Sequence, residues 1–176
     1  MSRSEHVIHS WNGIPDDNVR RIGCKSRKGD TGHEKGNIIH ITGALYSLYG
    51  DGSHGALPRP RRIAVALDHT IYYTDYERGY LGHIDPDKGL IEEMLSPGGE
   101  KSKPYGITVT PDGGIWYSES GVKPNTIVRF DPRLRSFNRW TIPSGGGVVR
   151  NMVATPDGNI YIACSGVNKV GVVRQK

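Results

Sequence analysis

From Ile63 to the C-terminus the chain repeats itself about every 44 residues, a period that few architectures accommodate. Ile63, Ile107 and Met152 are 44 and 45 positions apart, and so are Tyr73, Tyr117 and Ile162. The first unit reads Arg61-Arg62-Ile63-Ala64-Val65, Leu67-Asp68-His69, Ile71-Tyr72-Tyr73-Thr74-Asp75 and Tyr80-Leu81-Gly82-His83-Ile84-Asp85-Pro86. The second answers with Tyr105 to Val109, Pro111-Asp112-Gly113, Ile115-Trp116-Tyr117-Ser118-Glu119 and Asn125 to Pro132. The third runs Arg150 to Thr155, Pro156-Asp157-Gly158, Ile160-Tyr161-Ile162-Ala163-Cys164 and Asn168 to Val173.

Inside each unit, short β-branched and aromatic runs alternate with turn residues, and none reaches helical length, so the elements are strands. Pro-Asp-Gly suits a tight turn because Pro sets φ and Gly supplies φ > 0. Further turns at Asp85-Pro86 and Asp131-Pro132 precede Leu90 to Leu95 and Ser136 to Ile142, which makes four antiparallel strands per unit. Four strands per 40–50 residues is the blade of a β-propeller. The fold expected is therefore all-β, an incomplete propeller of about three to three and a half blades. Its parts are a blade at 57–100, a blade at 101–145 and an incomplete blade at 146–176 that stops after its third strand. Residues 37–56 read as remnant outer strands (Asn37 to Thr42 and Ala44 to Tyr49), and 1–36 as an irregular or disordered segment.

Charge is unevenly placed. The net +5 lies mainly in residues 1–62, with 10 Lys/Arg against 6 Asp/Glu, whereas 63–176 hold 13 against 12. Arg20 to Lys28 is short, broken by Gly and free of stacking aromatics, so nucleic acid is not the expected partner. Gly145-Gly146-Gly147 lacks the Lys-Ser/Thr and the helix of a phosphate loop. No run of 18 apolar residues suggests a membrane span, and no apolar stretch near Met1 suggests a signal peptide, so a cytoplasmic chain is expected. Cys24 and Cys164, 140 positions apart, read as free thiols.

Pro104-Tyr105-Gly106-Ile107-Thr108, the run Pro111 to Glu119, and Asn125-Thr126-Ile127-Val128-Arg129-Phe130-Asp131 resemble the repeating unit of virginiamycin B (streptogramin B) lyases, and the resemblance covers residues 57–176. It implies a seven-bladed parent and an elimination that opens a cyclic depsipeptide at its ester. Mg²⁺ polarises the carbonyl and a His moves the proton. In that family the essential His follows Pro at the start of a first strand. Here those places hold Arg61 after Pro60, Tyr105 after Pro104 and Arg150 after Val149, so no catalytic residue is matched, and no cofactor is expected for this chain. His69 and His83 read as surface polar residues.

At the channel mouth the candidate ligand-binding residues are Arg61, Arg62, Tyr105, Arg150 and Asn151. They are suited to an anionic or carbonyl-rich ligand, or else to salt bridges with acidic loops. Asp75 and Glu119, answered by Cys164 in the third unit, read as inter-blade hydrogen-bond acceptors or as metal ligands. Three functions stay open: a non-catalytic binding or scaffold propeller, a carbon–oxygen lyase whose catalytic blades come from elsewhere, and a gluconolactonase-like hydrolase. The open ends of the arc suggest self-association or a partner chain.

Overall fold

The computed structural model describes residues 9–11, 19–23 and 56–175. Eleven strands carry the three repeats. β3 (Pro60–Val65), β4 (Ile71–Asp75), β5 (Tyr80–Asp85) and β6 (Leu90–Leu95) make the first blade. β7 (Pro104–Val109), β8 (Ile115–Glu119), β9 (Thr126–Asp131) and β10 (Ser136–Thr141) make the second. β11 (Val149–Ala154), β12 (Ile160–Cys164) and β13 (Lys169–Val173) make the third, which has three strands, as the sequence suggests. Pairing within each blade is antiparallel between chain neighbours. The first strands β3, β7 and β11 lie side by side from blade to blade, so they form the inner edge of the arc.

Two further strands come from the N-terminal segment that reads as irregular. β1 (His9–Trp11) pairs antiparallel with β10, and β2 (Val19–Gly23) with β6, each adding a fifth strand to an outer edge. The physical reason is the unpaired backbone of β6 and β10, which a neighbouring extended segment satisfies whatever its own pattern. β13 has no outer partner among the described residues. The outer strands read at 37–49 lie outside the described residues.

The same turn closes the first hairpin of each blade. Gly113 N–H donates to Thr110 O at 2.8 Å, Gly158 N–H to Thr155 O at 2.9 Å and His69 N–H to Ala66 O at 3.0 Å. The donor residue is left-handed in all three, with φ of 82° at Gly113, 83° at Gly158 and 66° at His69. Glycine is at ease there and His69 is not. Each turn is also tied by its aspartate. Asp68, Asp112 and Asp157 accept from the hydroxyls of Thr70, Thr110 and Thr155, which explains why Asp recurs in the turn.

Blades stack face to face through two apolar clusters. Tyr72, Leu81 and Met94 of the first blade meet Ile107, Ile115, Tyr117, Val128, Phe130 and Phe137 of the second. Trp116, Ile127 and Ile142 of the second meet Val149, Met152, Ile160, Ile162 and Cys164 of the third. The repeated bulk at 72/116 and 73/117 is therefore core. Asn125 donates to the carbonyls of Ser120 and Val122, a loop role rather than a ligand role.

Candidate functional site

Each inner strand begins with a break in its register. The pairing of β3 with β4 skips between Pro60 and Arg62, that of β7 with β8 between Pro104 and Ile107, and that of β11 with β12 between Val149 and Met152. A bulge leaves residues out of the ladder and re-aims their side chains. The displaced residues are Arg61, Tyr105-Gly106 and Arg150-Asn151, which include four of the five sequence candidates; the fifth, Arg62, pairs with Thr74 beside the first bulge. One backbone bond repeats beside each bulge: Tyr76 N–H to Arg59 O at 3.2 Å, Ser120 N–H to Lys103 O at 3.1 Å, and Ser165 N–H to Val148 O at 3.2 Å.

Across neighbouring blades these bulges converge on one aromatic ring. The guanidinium carbons of Arg61, Arg62 and Arg150 stand 5.6, 6.0 and 5.9 Å from the Tyr105 ring centroid. Arg61 is also 5.1 Å from the Tyr76 ring, and Lys103 Nζ approaches that ring from 4.9 Å. The two tyrosines meet edge to face at 5.2 Å. Arg62 donates to Arg150 O at 3.4 Å and to Asn151 Oδ1 at 3.2 Å, which links the first blade to the third. All five candidates are thus brought together. Tyr76 and Lys103 join them, and sequence reading missed both. The signal available was register: Tyr76 stands where the other repeats have Ser120 and Ser165, and Lys103 precedes the same Pro that Arg59 precedes.

The alternative that these arginines pair with acidic loops finds no support among the described residues. The ion pairs there involve Arg59, Arg78, His83, Lys88, Arg129, Arg133, Arg135 and Arg139. Arg61, Arg62, Lys103 and Arg150 form a group of four cations whose contacts with described residues are rings, backbone and one amide.

Asp75 and Glu119 sit beside this group but are fully buried and fully engaged. Asp75 Oδ1 accepts from the N–H groups of Arg59, Glu77 and Arg78, and its Oδ2 from Arg78 Nε at 2.7 Å. Arg78 continues to Glu93, which also accepts from the Tyr73 hydroxyl at 2.7 Å. That ring crosses Gly82, where a Cβ would stand 2.0 Å from Tyr73 Cζ, so only Gly admits it. Glu119 Oε1 accepts from Ser96 Oγ and Gly98 N–H, both at 2.6 Å. Its Oε2 accepts from Thr126 Oγ1 at 2.6 Å and lies 2.8 Å from Arg139 Nε. Ser96 and Gly98 lie on the first blade and the link that follows it, so Glu119 is an inter-blade acceptor. Mg²⁺ takes about six oxygens at 2.0–2.1 Å, several of them water, and needs carboxylates free to face it. A rim of cations over two carboxylates already saturated by hydrogen bonds does not fit that ion. Among the described residues no group of three or more His, Cys, Asp or Glu is placed to hold a metal.

Both histidines of the first blade lie away from the bulges. His69 is in the turn at the other end of β3. His83 is part-buried, stacked on Tyr72 at 4.6 Å with Nδ1 3.4 Å from Glu92 Oε2. Cys164, the third-blade counterpart of Glu119, is a buried free thiol whose pKa is pushed up by desolvation.

The fold is shared with known propellers. Virginiamycin B lyase from Staphylococcus aureus superposes with a TM-score of 0.61 at 22% identity over 69% of this chain and 40% of that one. A streptogramin B lyase gives 0.54 at 21% identity over 66% and 41%, and the WD40 β-propeller domain of Doa1 gives 0.52 at 22% over 71% and 39%. The chain therefore spans about 40% of the length of the propellers it resembles. No protein-family model matches the sequence, and no curated protein is similar to it. In fold the chain is an arc of β-propeller blades similar to part of these propellers. No helix among the described residues is long and apolar enough to cross a membrane.

Proposed function

We propose that this chain is a non-catalytic binding and scaffold module that holds a small molecule at the inner rim formed by Arg61, Arg62, Lys103, Arg150, Asn151, Tyr76 and Tyr105. The supporting observation is that the bulges of three successive blades meet at one ring: the second bears Tyr105, and the first and third bring Arg61 and Arg150 to it. Among the described residues no histidine or free carboxylate joins this rim. General acid–base catalysis needs a side chain that gains and loses a proton near the working pH. Arginine does not do so. The test is a thermal-shift screen of charged and neutral small molecules against the chain and its R61Q/R150Q variant, with quinupristin included and its ring opening followed by chromatography. Stabilisation that depends on the two arginines, with quinupristin intact, supports the reading. Chelator-sensitive ring opening by the isolated chain overturns it in favour of the lyase.

The lyase reading remains the second one, supported by fold likeness, and it requires catalytic blades from elsewhere. The hydrolase reading has least support, because its candidate carboxylates, Asp75 and Glu119, are occupied by protein donors. A cytoplasmic setting agrees with a buried, unpaired Cys164 thiol.

The scaffold part of the reading concerns the outward face of the third blade. Leu81 and Ile127, at equivalent places on β5 and β9, are 0% and 3% exposed against the next blade, whereas their counterpart Val170 is 79% exposed. Val153, Tyr161 and Val172 share that face and are exposed too. The blade-to-blade contact already made twice within the chain is the kind of surface that fits there. The chain presents one, at Ile63, Val65 and Leu67, which are likewise exposed. A second copy, docked head to tail, is the partner we propose.

A further inference from the structure

We propose that the ligand of the inner rim is a compact polyanion with two adjacent oxyanion centres, of the diphosphate class. This deepens the binding-module reading and rests on it. The first argument is charge. Arg61, Arg62, Lys103 and Arg150 surround Tyr76 and Tyr105, and no carboxylate among the described residues pairs with any of them. Four like charges in one cluster repel each other and attract an anion to the exposed rim. One carboxylate neutralises a single cation of this set, whereas a diphosphate meets most of it.

The second argument is donor geometry. Arg62 is committed to Arg150 O and Asn151 Oδ1, but the guanidiniums of Arg61 and Arg150 touch only the tyrosine rings among the described residues. A guanidinium whose contacts are rings alone has N–H groups not spent on other acceptors, and these form a fork matched to phosphate oxygens. Two such forks, one on the first blade and one on the third, flank the same Tyr105 ring. Two linked oxyanions offer one centre to each fork. Lys103 adds a point charge on the Tyr76 side.

The third argument is preorganisation. Arg61 and Arg150 are borne by bulges at strand heads, and the carbonyls of Tyr105 and Val149, at the second and third bulges, are pinned from the preceding blade by the buried hydroxyls of Thr74, 2.8 Å from Tyr105 O, and Ser118, 2.7 Å from Val149 O. The rim is thus set before a ligand arrives, which lowers the ordering cost of binding.

Isothermal titration of the whole chain with sodium pyrophosphate, inorganic phosphate and the neutral members of the screen, at matched ionic strength, tests this. Pyrophosphate is expected to bind at least tenfold more tightly than phosphate and to weaken with added salt. R61Q/R150Q is expected to lose at least tenfold, R61K/R150K to lose less because charge remains without the fork, and R133Q on a distant turn to change nothing. Circular dichroism confirms that each variant is folded, and the lysine pair keeps the test valid if the glutamine pair is not. Equal affinity for pyrophosphate and phosphate, or an equal loss in R133Q, overturns the polyanion. A neutral ligand that binds more tightly through Arg61 and Arg150 overturns it too, yet leaves the binding-module reading standing. If nothing binds, both fail.

Discussion

Thr74, on the second strand of the first blade, donates its hydroxyl proton to the carbonyl of Tyr105 at the head of the second blade, 2.8 Å away. Ser118 repeats the bond one blade on, to Val149 at 2.7 Å, and accepts from Gly106 N–H at 3.0 Å. Position 163 completes the series with Ala, which has no hydroxyl to offer a further blade. A repeated polar clasp at the inner rim thus joins the blades alongside the apolar clusters and the Glu119 bonds, and the clasp fixes the bulge that presents Tyr105.

Replacing Thr74 by Val keeps the shape and removes the donor, which leaves a buried carbonyl short of a partner. The expected loss is about 1–3 kcal/mol. Urea unfolding measures it. T74S is expected to stay near wild type. Ligand affinity at the rim should fall in T74V and be retained in T74S, a split that a purely structural effect far from the rim would not produce.

Arg78→Met is expected to be far more damaging. Asp75 and Glu93 are both fully buried, and Arg78 lies between them, so its removal strands two carboxylates in the blade. Breaking a buried pair from one side costs about 3–5 kcal/mol. Denaturant midpoints of R78M and of the charge-retaining R78K separate loss of charge from loss of the fork. A change below 1 kcal/mol in R78M would show that the network is not holding the blade.

Acid should unfold the turns first. Hydrogen bonds from the Thr70 and Thr155 hydroxyls hold Asp68 and Asp157 below the ordinary carboxylate range. At Asp112 burial pushes the other way but is outweighed by donors from Thr110 and Arg129. A carboxylate whose pKa is depressed by folding contributes stability that is present above its unfolded pKa of about 3.9 and lost as pH falls through the folded value. Melting temperature is therefore expected to be flat near neutrality and to fall below about pH 4. In D112N the acid dependence should be shallower, with lower stability at pH 7.

His69 occupies the left-handed turn position that the other blades give to glycine. H69G relieves about 1–2 kcal/mol of backbone strain and returns part of it as unfolded-chain entropy. A net gain of about 0.5 kcal/mol is expected, and at this chain length it should raise the melting temperature by one or two degrees. Calorimetry of the single variant decides the sign.

Light scattering at micromolar concentration is expected to find dimers or larger species if the third blade's outward face docks on a second copy. Val170→Lys and Tyr161→Lys, on that face, should return monomers without changing the melting curve at low concentration. A wild-type chain that stays monomeric at tens of micromolar rules out the association.

Much of this was written in the linear order of residues. A period of 44, short β-branched runs, and turn residues at fixed offsets specify blades, because strand alternation and turn chemistry are local properties. The candidates Arg61, Tyr105 and Arg150 were legible for the same reason, as they share one place in the repeat. Their meeting on a single ring was not legible, since it depends on bulges that skip a residue and on the stacking of separate blades. Asp75 and Glu119 show the limit from the other side. Their spacing allowed either a metal ligand or a structural acceptor, and only packing supplied the Arg78, Ser96, Gly98 and Arg139 donors that fill their oxygens. The short strands at His9–Trp11 and Val19–Gly23 carry no strong pattern of their own. They are strands because β10 and β6 present unpaired backbone, and an edge recruits a partner by hydrogen bonding that is blind to side-chain sequence.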